Sequence, residues 1–517
     1  MRKPIAMFWL CMLFLFTRLA LAEEGAQPPV AALQPRVFAF AEVEQQAKDL
    51  ATRPYAKDDG GLPEFLGKLD ADQYRAINFR QDKSLWRDEG LPFQVQFYHR
   101  GFIFRNRVNV NVVEQGNAAR LAYSPELFDF GKNSPQGPLP ADLGFAGLRF
   151  HYPLHRDGNP DEFAVFLGAS YFRAVGLGQI YGISARGLAI DTGLPKAEEF
   201  PVFKEFWIEK PARQSDQLVV YALLDSPSAT GAYRFVIHPG MEIGMEVSAH
   251  IYARKGTERI GIAPLTSMFF HGENTDRFFD DTRPEVHDSD GLLTLRSNGE
   301  RVWRPLNNPK HLRISVFRDQ NPRGFGLMTR DRNFEHYQDL GSHYEQRPSA
   351  WIETIGNWGA GSVYLIEIPS DAEKYDNIVA FWVPDQPMDG TRDFSFQYRL
   401  HFRPDEPAAP DLAHVNETRI GSSLLSGAET DARHFVVDFQ GDAMNRYGDK
   451  ALIDADISAS SGQVSHVSVQ KNITTGGWRL SFDLTPEKDK DPVELRAVLK
   501  SKEDILTETW VYQWSRW

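Results

Sequence analysis

The chain has 517 residues, with 57 lysines and arginines against 70 aspartates and glutamates and a net charge of −13. That balance repels nucleic-acid phosphates and anionic lipid headgroups, so neither is an expected partner, whereas a neutral ligand is unaffected by it. The length allows two or three domains, or one large β domain with a smaller companion.

The first 22 residues read as a secretory signal. Arg2 and Lys3 precede an apolar stretch over 5–16, and Ala20-Leu21-Ala22 offers a small-x-small cleavage site. The stretch is too short to span a bilayer, and no later one approaches the roughly 20 apolar residues required. Cleavage would remove the only cysteine, Cys11, and leave 54 basic against 70 acidic residues, or −16. A large exported protein without disulfides fits a bacterial periplasm, as a soluble protein with no membrane insertion.

Helical periodicity then marks residues 40–50 and, briefly, 61–69. Beyond them, period-two alternation and short β-branched or aromatic runs dominate, as at 93–98, 107–112, 218–223, 362–368 and 394–402. Glycine, proline, asparagine and aspartate separate these runs. Strands at this density without long helices predict an all-β chain of antiparallel sheets in a sandwich. Residues 403–412 hold three prolines among charged residues and read as a linker. Strand-like runs at 434–439, 464–470, 478–484, 493–499 and 507–513 follow. Their spacing predicts an immunoglobulin-like β-sandwich over 413–517, after a larger sandwich over 23–402.

Several catalytic signatures fail. Gly176-Leu-Gly178-Gln-Ile-Tyr-Gly182 lacks dinucleotide spacing and a βαβ frame. Pro153 between His151 and His155 blocks a metal-binding helix, and no metal or cofactor is expected. Asp288-Ser-Asp290-Gly291 lacks the rest of a calcium loop, and Gly182-Ile-Ser184-Ala-Arg-Gly187 is one residue too long for a nucleophile elbow.

Three segments remain in which polar residues crowd against glycine and aromatics. They run over 167–191, over 283–308, and from Tyr344 to Trp351 and on to 373–382. Such a composition suits a groove for a chain of sugars: glycine admits the ligand, arginine answers hydroxyls, and tryptophan or tyrosine supplies a flat face. The 11 Trp, 17 Tyr and 36 Phe serve core packing first, and sugar stacking only in part. The candidate ligand-contacting residues are Arg173, Arg186, His287, Tyr344, Arg347, Trp351, Glu373 and Trp382.

The stretches LGASYFR, GISARGLAIDTGLP, EFPVFKEFWIEKP, YALLDSPSATGAYRF, APLTSMFF, RPEVHDSDGL, WRPLNNPKHL, RPSAW and DNIVAFWVPDQ stand in one order. Together they resemble the periplasmic glucans biosynthesis protein G/D family, from about residue 38 to about 510. The plain signal is similar to that of its protein G branch, since protein D members typically carry a twin-arginine signal. The resemblance implies a galactose-mutarotase-like β-sandwich followed by an immunoglobulin-like domain. It implies a role in making osmoregulated periplasmic glucans with a β-1,2-linked backbone, and inverting β-1,2-glucanase activity. The family's general acid maps onto Asp376, a second acidic position onto Asp288, and a groove tyrosine onto Tyr344. An inverting glycosidase needs one carboxylic acid for the leaving oxygen and a second group to activate water. The acid must hold its proton near neutral pH, and the apolar run after Asp376 and Glu373 before it suit that need. The alternative is a non-catalytic glucan-binding protein that guides nascent chains from an inner-membrane synthase.

Overall fold

The structure is a computed structural model that describes residues 36–516, apart from 59, 134, 136, 156–157, 276, 410, 424–430 and 449–450. The predicted secretory signal lies outside the described residues. The chain is all-β, in face-to-face sheets, as the alternation predicts. Among the described residues one sheet has sixteen strands and a second has ten. Among the described residues no helix is long and apolar enough to cross a membrane.

The strand Asp393–Arg403 shows how pattern becomes position. Phe394, Phe396, Tyr398, Leu400 and Phe402 are buried, while Asp393, Ser395, Gln397 and Arg399 between them are exposed. Successive side chains of a strand point to opposite faces, so this alternation lays one face on the core and the other in water. The strand pairs antiparallel with Ile243–Ala253 on one side and Ser349–Ile355 on the other. In contrast, Ile378–Pro384 in the ten-stranded sheet is buried along almost its whole length, because both its faces are covered.

The two sheets meet in a phenylalanine cluster. Phe166 and Phe172 of the ten-stranded sheet pack on Phe206 and Phe235 of the larger one, with ring centroids 5.3–5.5 Å apart across the interface. Each such ring taken from water contributes about 1.5–3 kcal/mol. The first helix, Phe40–Ala51, covers the outer face of the larger sheet through Val43 and Ala47, and the Thr230 hydroxyl donates to the Ala47 carbonyl at 2.6 Å. The second predicted helix shrinks to Glu64–Gly67. A third, Ala71–Arg75, is opened by a reciprocal cap between Asp70 and Gln73 that the periodicity did not reveal.

The C-terminal strands divide between two sheets. His414–Ser422, Arg433–Gln440, Trp478–Thr485 and Gln463–Lys471 form a four-stranded antiparallel sheet. Thr509–Trp514, Val493–Ser501 and Asp454–Ala459 instead extend the sixteen-stranded sheet. Thr509–Trp514 runs parallel to Arg301–Pro305, pairing Val302 with Thr509 and Trp303 with Trp510. A second core lies beneath this join, where Leu293, Trp303, Met328 and Trp351 pack with Phe435, Phe482 and Trp510. The proline-rich segment 403–412 is tied to the same place. Its Glu406 pairs with Arg330 at 2.6 Å and with Arg301 at 3.6 Å.

Candidate active site

Two acidic segments are set against one short strand, Phe269–His271. Phe269 pairs with His287, and the Met268 carbonyl accepts the N–H of Asp288 at 2.8 Å. On the other side, the Asn377 side chain accepts from Phe269 N–H at 2.8 Å and donates to its carbonyl at 2.9 Å. The same amide donates to the Ile368 carbonyl at 3.1 Å, closing the loop 369–376 at its base. The backbone of Met268 and Phe269 therefore seats both Asp288 and the residue after Asp376. Eighty-eight positions apart in sequence, the two acids reach one site through it.

Asp376 ends that loop, directly before Ile378–Pro384 of the ten-stranded sheet. Its Oδ2 is buried and has no hydrogen-bond partner among the described residues. Burial pushes its pKa well above the ordinary carboxylate value. The charge of Asp288 adds to the rise, and Arg173, Arg186 and Arg347 oppose it without cancelling it. The acid that helps Asp376 keep its proton is thus Asp288. Glu373, expected to do so, is engaged instead by Arg283 at 2.5 Å.

Asp288 is 4% exposed and forms an ion pair with Arg347, whose Nη1 donates to Oδ1. Arg347 also lies over the Tyr344 ring, 4.1 Å from its centroid, and Tyr344 stacks on Tyr337 at 5.7 Å. Burial raises the Tyr344 hydroxyl above its ordinary pKa. On the ten-stranded side, Arg186 donates to Glu198 at 2.6 Å and to the Thr266 hydroxyl at 2.9 Å, and stands over Tyr171 at 4.6 Å. Arg173 lies in the neighbouring strand Tyr171–Ala174. Asp376, Asp288, Tyr344, Arg347, Arg173 and Arg186 therefore belong to one electrostatic neighbourhood.

Three of the sequence-predicted contacts are elsewhere. Trp382 is fully buried in the sandwich core, edge-on to Trp358 at 6.2 Å, and offers no face to a sugar. Trp351 is 4% exposed and packs in the second core with Trp303 and Met328. Both tryptophans lie at points where their strands are covered on two sides, so their aromatic character serves packing. His287 is also closed off. Its ring stacks on Phe269 at 5.1 Å and its Nε2 faces Glu285 at 2.9 Å. Burial lowers its pKa, but Asp290, Glu285 and Glu273 outweigh that and raise it to about 9. Burial also raises Glu273, helped by Glu285 and Asp290.

A histidine–carboxylate group lies behind this site. Glu285, Asp331 and His336 each present a ligand atom within 4.8 Å of the others, spacing that could hold a cation. His336 Nδ1 already faces Asp331 Oδ2 at 2.6 Å. Two surface cavities, one lined by His311 and Trp514 and one by Glu242 and His401, contain none of the acids described above. Sequence reasoning missed Asn377 and Arg283. Neither has local chemistry that distinguishes it from a turn residue, and each meets a decisive partner 90 or more residues away, Phe269 for Asn377 and Glu373 for Arg283.

The family described as "Periplasmic glucan biosynthesis protein, MdoG" matches residues 38–514. Glucans biosynthesis protein G of Bradyrhizobium diazoefficiens is 48% identical over 478 residues, 92% of this chain and 93% of that protein. Its namesake in Ralstonia nicotianae is 46% identical over 481 residues, 92% of this chain and 95% of that protein. Probable glucans biosynthesis protein D of Shewanella oneidensis is 46% identical over 486 residues, 93% of this chain and 89% of that protein.

Proposed function

Because this chain belongs to the periplasmic glucan biosynthesis protein family, we propose that it trims the β-1,2-glucan of that pathway by inverting hydrolysis in the periplasm. The observation that carries this reading is the Asp376 carboxyl, with a buried, unpartnered oxygen and a pKa held well above normal. A carboxyl oxygen left without a hydrogen-bond partner in a polar site is available to a substrate atom, and a carboxyl that keeps its proton near neutral pH can give it away.

In this mechanism Asp376 protonates the glycosidic oxygen as the bond from that oxygen to C1 breaks. Water attacks C1 from the opposite face and gives up a proton toward Asp288, directly or through intervening hydroxyls. The product then carries the inverted anomeric configuration. Arg347 fixes the direction of Asp288, and with Arg173, Arg186 and Tyr344 it supplies donors for sugar hydroxyls. Glycine at 182 leaves the space that Arg347 fills. A Cβ there would lie 2.8 Å from Arg347 Cδ and 2.9 Å from its Cβ.

The relatives are named for biosynthesis, which also favours a second reading, a groove that guides nascent glucan without cleaving it. Both readings use the same binding residues, so turnover separates them. Purified protein incubated with linear β-1,2-glucan should shorten the chains, and Asp376→Asn should bind glucan but cleave it about 10²–10⁴-fold more slowly. Equal rates in the two proteins would remove Asp376 from the role. Binding without turnover in the wild type would establish the guiding reading.

A further inference from the structure

Arg283 holds three carboxylates on three separate segments. Its Nε and Nη2 donate to the two oxygens of Asp281 at 3.0 and 2.8 Å. Nη1 donates to Asp339 at 2.8 Å, and Nη2 also donates to Glu373 at 2.5 Å. Glu373 stands three residues before Asp376 on the same loop. Asp339 organises the next turn, accepting the N–H groups of Gly341 and Ser342 at 2.8 Å each. The Ser342 carbonyl in turn accepts from Arg347, the residue paired with Asp288.

A continuous chain of charged contacts thus runs from Glu373 through Arg283, Asp339, Ser342 and Arg347 to Asp288. The loop 369–376 has a second tether, the Asn377 amide at its base. A third, Asn308, donates to the Ser370 carbonyl at 2.9 Å and accepts its N–H at 2.9 Å. Both of these hold the ends of the loop, whereas Arg283 alone grips its middle through Glu373, and without that grip the segment bearing Asp376 could swing outward. We propose that Arg283 is a positioning residue, a clasp that closes the Asp376 loop and sets the distance between Asp376 and the Arg347–Asp288 pair. Glu373 is then a structural partner of the clasp and makes no contact with the glucan. The guanidinium fork suits this task, because its five donors can engage several carboxylates in one plane, which an ammonium group cannot.

This inference rests on the hydrolytic reading for its kinetic consequence, and on the geometry alone for its effect on the loop. Three variants test it: Arg283→Gln, Arg283→Lys and Glu373→Gln. The Glu373 side chain is 40% exposed, so its replacement leaves the fold intact. In all three, hydrogen exchange of 369–377 without glucan should quicken. Turnover should fall about 10- to 100-fold in kcat with little change in KM, as misplacement of about 1 Å costs. The groups that face Asp376 are Asp288, Arg173, Arg186, Arg347 and Tyr171. An opened loop hydrates Asp376, so its proton leaves at lower pH and the alkaline limb of activity moves toward acid. In Arg283→Gln, loss of a nearby cation would push that limb the other way, so in that variant the direction separates the clasp from a charge effect. Unchanged exchange in Arg283→Gln and Glu373→Gln overturns the clasp whatever the turnover, as does an alkaline limb in Arg283→Gln that stays or moves upward. Faster exchange around a wild type that cleaves no glucan supports the clasp and overturns the hydrolytic reading.

Discussion

Replacing Arg330 by methionine should destabilise the join between the C-terminal strands and the large sandwich more than any surface change. Arg330 follows the strand Gly324–Met328 and is almost wholly enclosed. It pairs with Glu406 of the proline-rich segment and Glu508 of the C-terminal region, each at 2.6 Å, and donates to the Val415 carbonyl at 2.6 Å. Its guanidinium also lies 3.5 Å from the Trp303 ring centroid. Removing one partner of a buried pair costs about 3–5 kcal/mol, because the other charge stays buried without compensation. A desolvated cation–π contact adds about 2 kcal/mol. Arg301, 3.6 Å from Glu406, recovers part of this, but Glu508 is 1% exposed and, among the described residues, keeps the Val415 N–H as its one side-chain hydrogen bond. The expected loss of about 4–6 kcal/mol is a large share of the 5–15 kcal/mol that typically stabilises a domain. Urea unfolding followed by tryptophan emission reads it, since Trp303 and Trp510 pair across the join. Acidification should shrink the deficit, because the stranded carboxylates then bind protons in the folded state. Adding Glu508→Gln should restore part of the stability. A single-variant cost under about 1 kcal/mol, or a deficit that grows on acidification, would refute the reasoning.

Other consequences can be measured separately. Glucan cleavage should persist through neutral pH and fall as pH rises through the elevated pKa of Asp376, since the donor must be protonated; a pH–rate profile limited by loss of activity below pH 5 alone would contradict this. His287, raised from 6.5 to about 9, contributes stability that is complete below pH 6.5 and lost as pH climbs through 9. Thermal unfolding across pH 6–9.5 should show that decline, and His287→Gln should flatten it. Gly182→Ala should displace Arg347 from Asp288, costing about 1–3 kcal/mol of stability and slowing turnover; unfolding and glucan assays on the same preparation check both.

The fold was legible wherever one side of a strand faces water. The runs at 394–402, 434–439 and 478–484 lie within the strands Asp393–Arg403, Arg433–Gln440 and Trp478–Thr485. The helix at 40–50 appears as Phe40–Ala51, because Val43 and Ala47 give it a single apolar stripe. Where both faces are covered, the strand was legible but the role of its side chains was not. Nothing in the run around Trp382 tells a core tryptophan from a sugar platform when its neighbours are equally apolar. Pairings over long separations were equally hidden, since Trp303 and Trp510 stand 207 positions apart and carry no local mark of each other. The site was legible mainly through its resemblance to a family: the residues at 376, 288 and 344 were marked, whereas the partners that hold them were not.

Those partners explain why the site sits where it does. A two-sheet sandwich can hold paired acids only where loops from both sheets converge, since its interior excludes unpaired charge. Asp376 arrives from the ten-stranded sheet, and Asp288 from the short strand that leads into the sixteen-stranded one. Loops from different sheets share no ladder to fix their spacing, so side chains must do it. Asn377 does so by bonding both polar groups of Phe269, whose neighbour across the short strand is His287. His287 is held by Glu285 and Phe269, which keeps the peptide before Asp288 from turning. Burial of His287, which excludes it from touching a sugar, is therefore the condition under which Asp288 keeps a fixed place opposite Asp376.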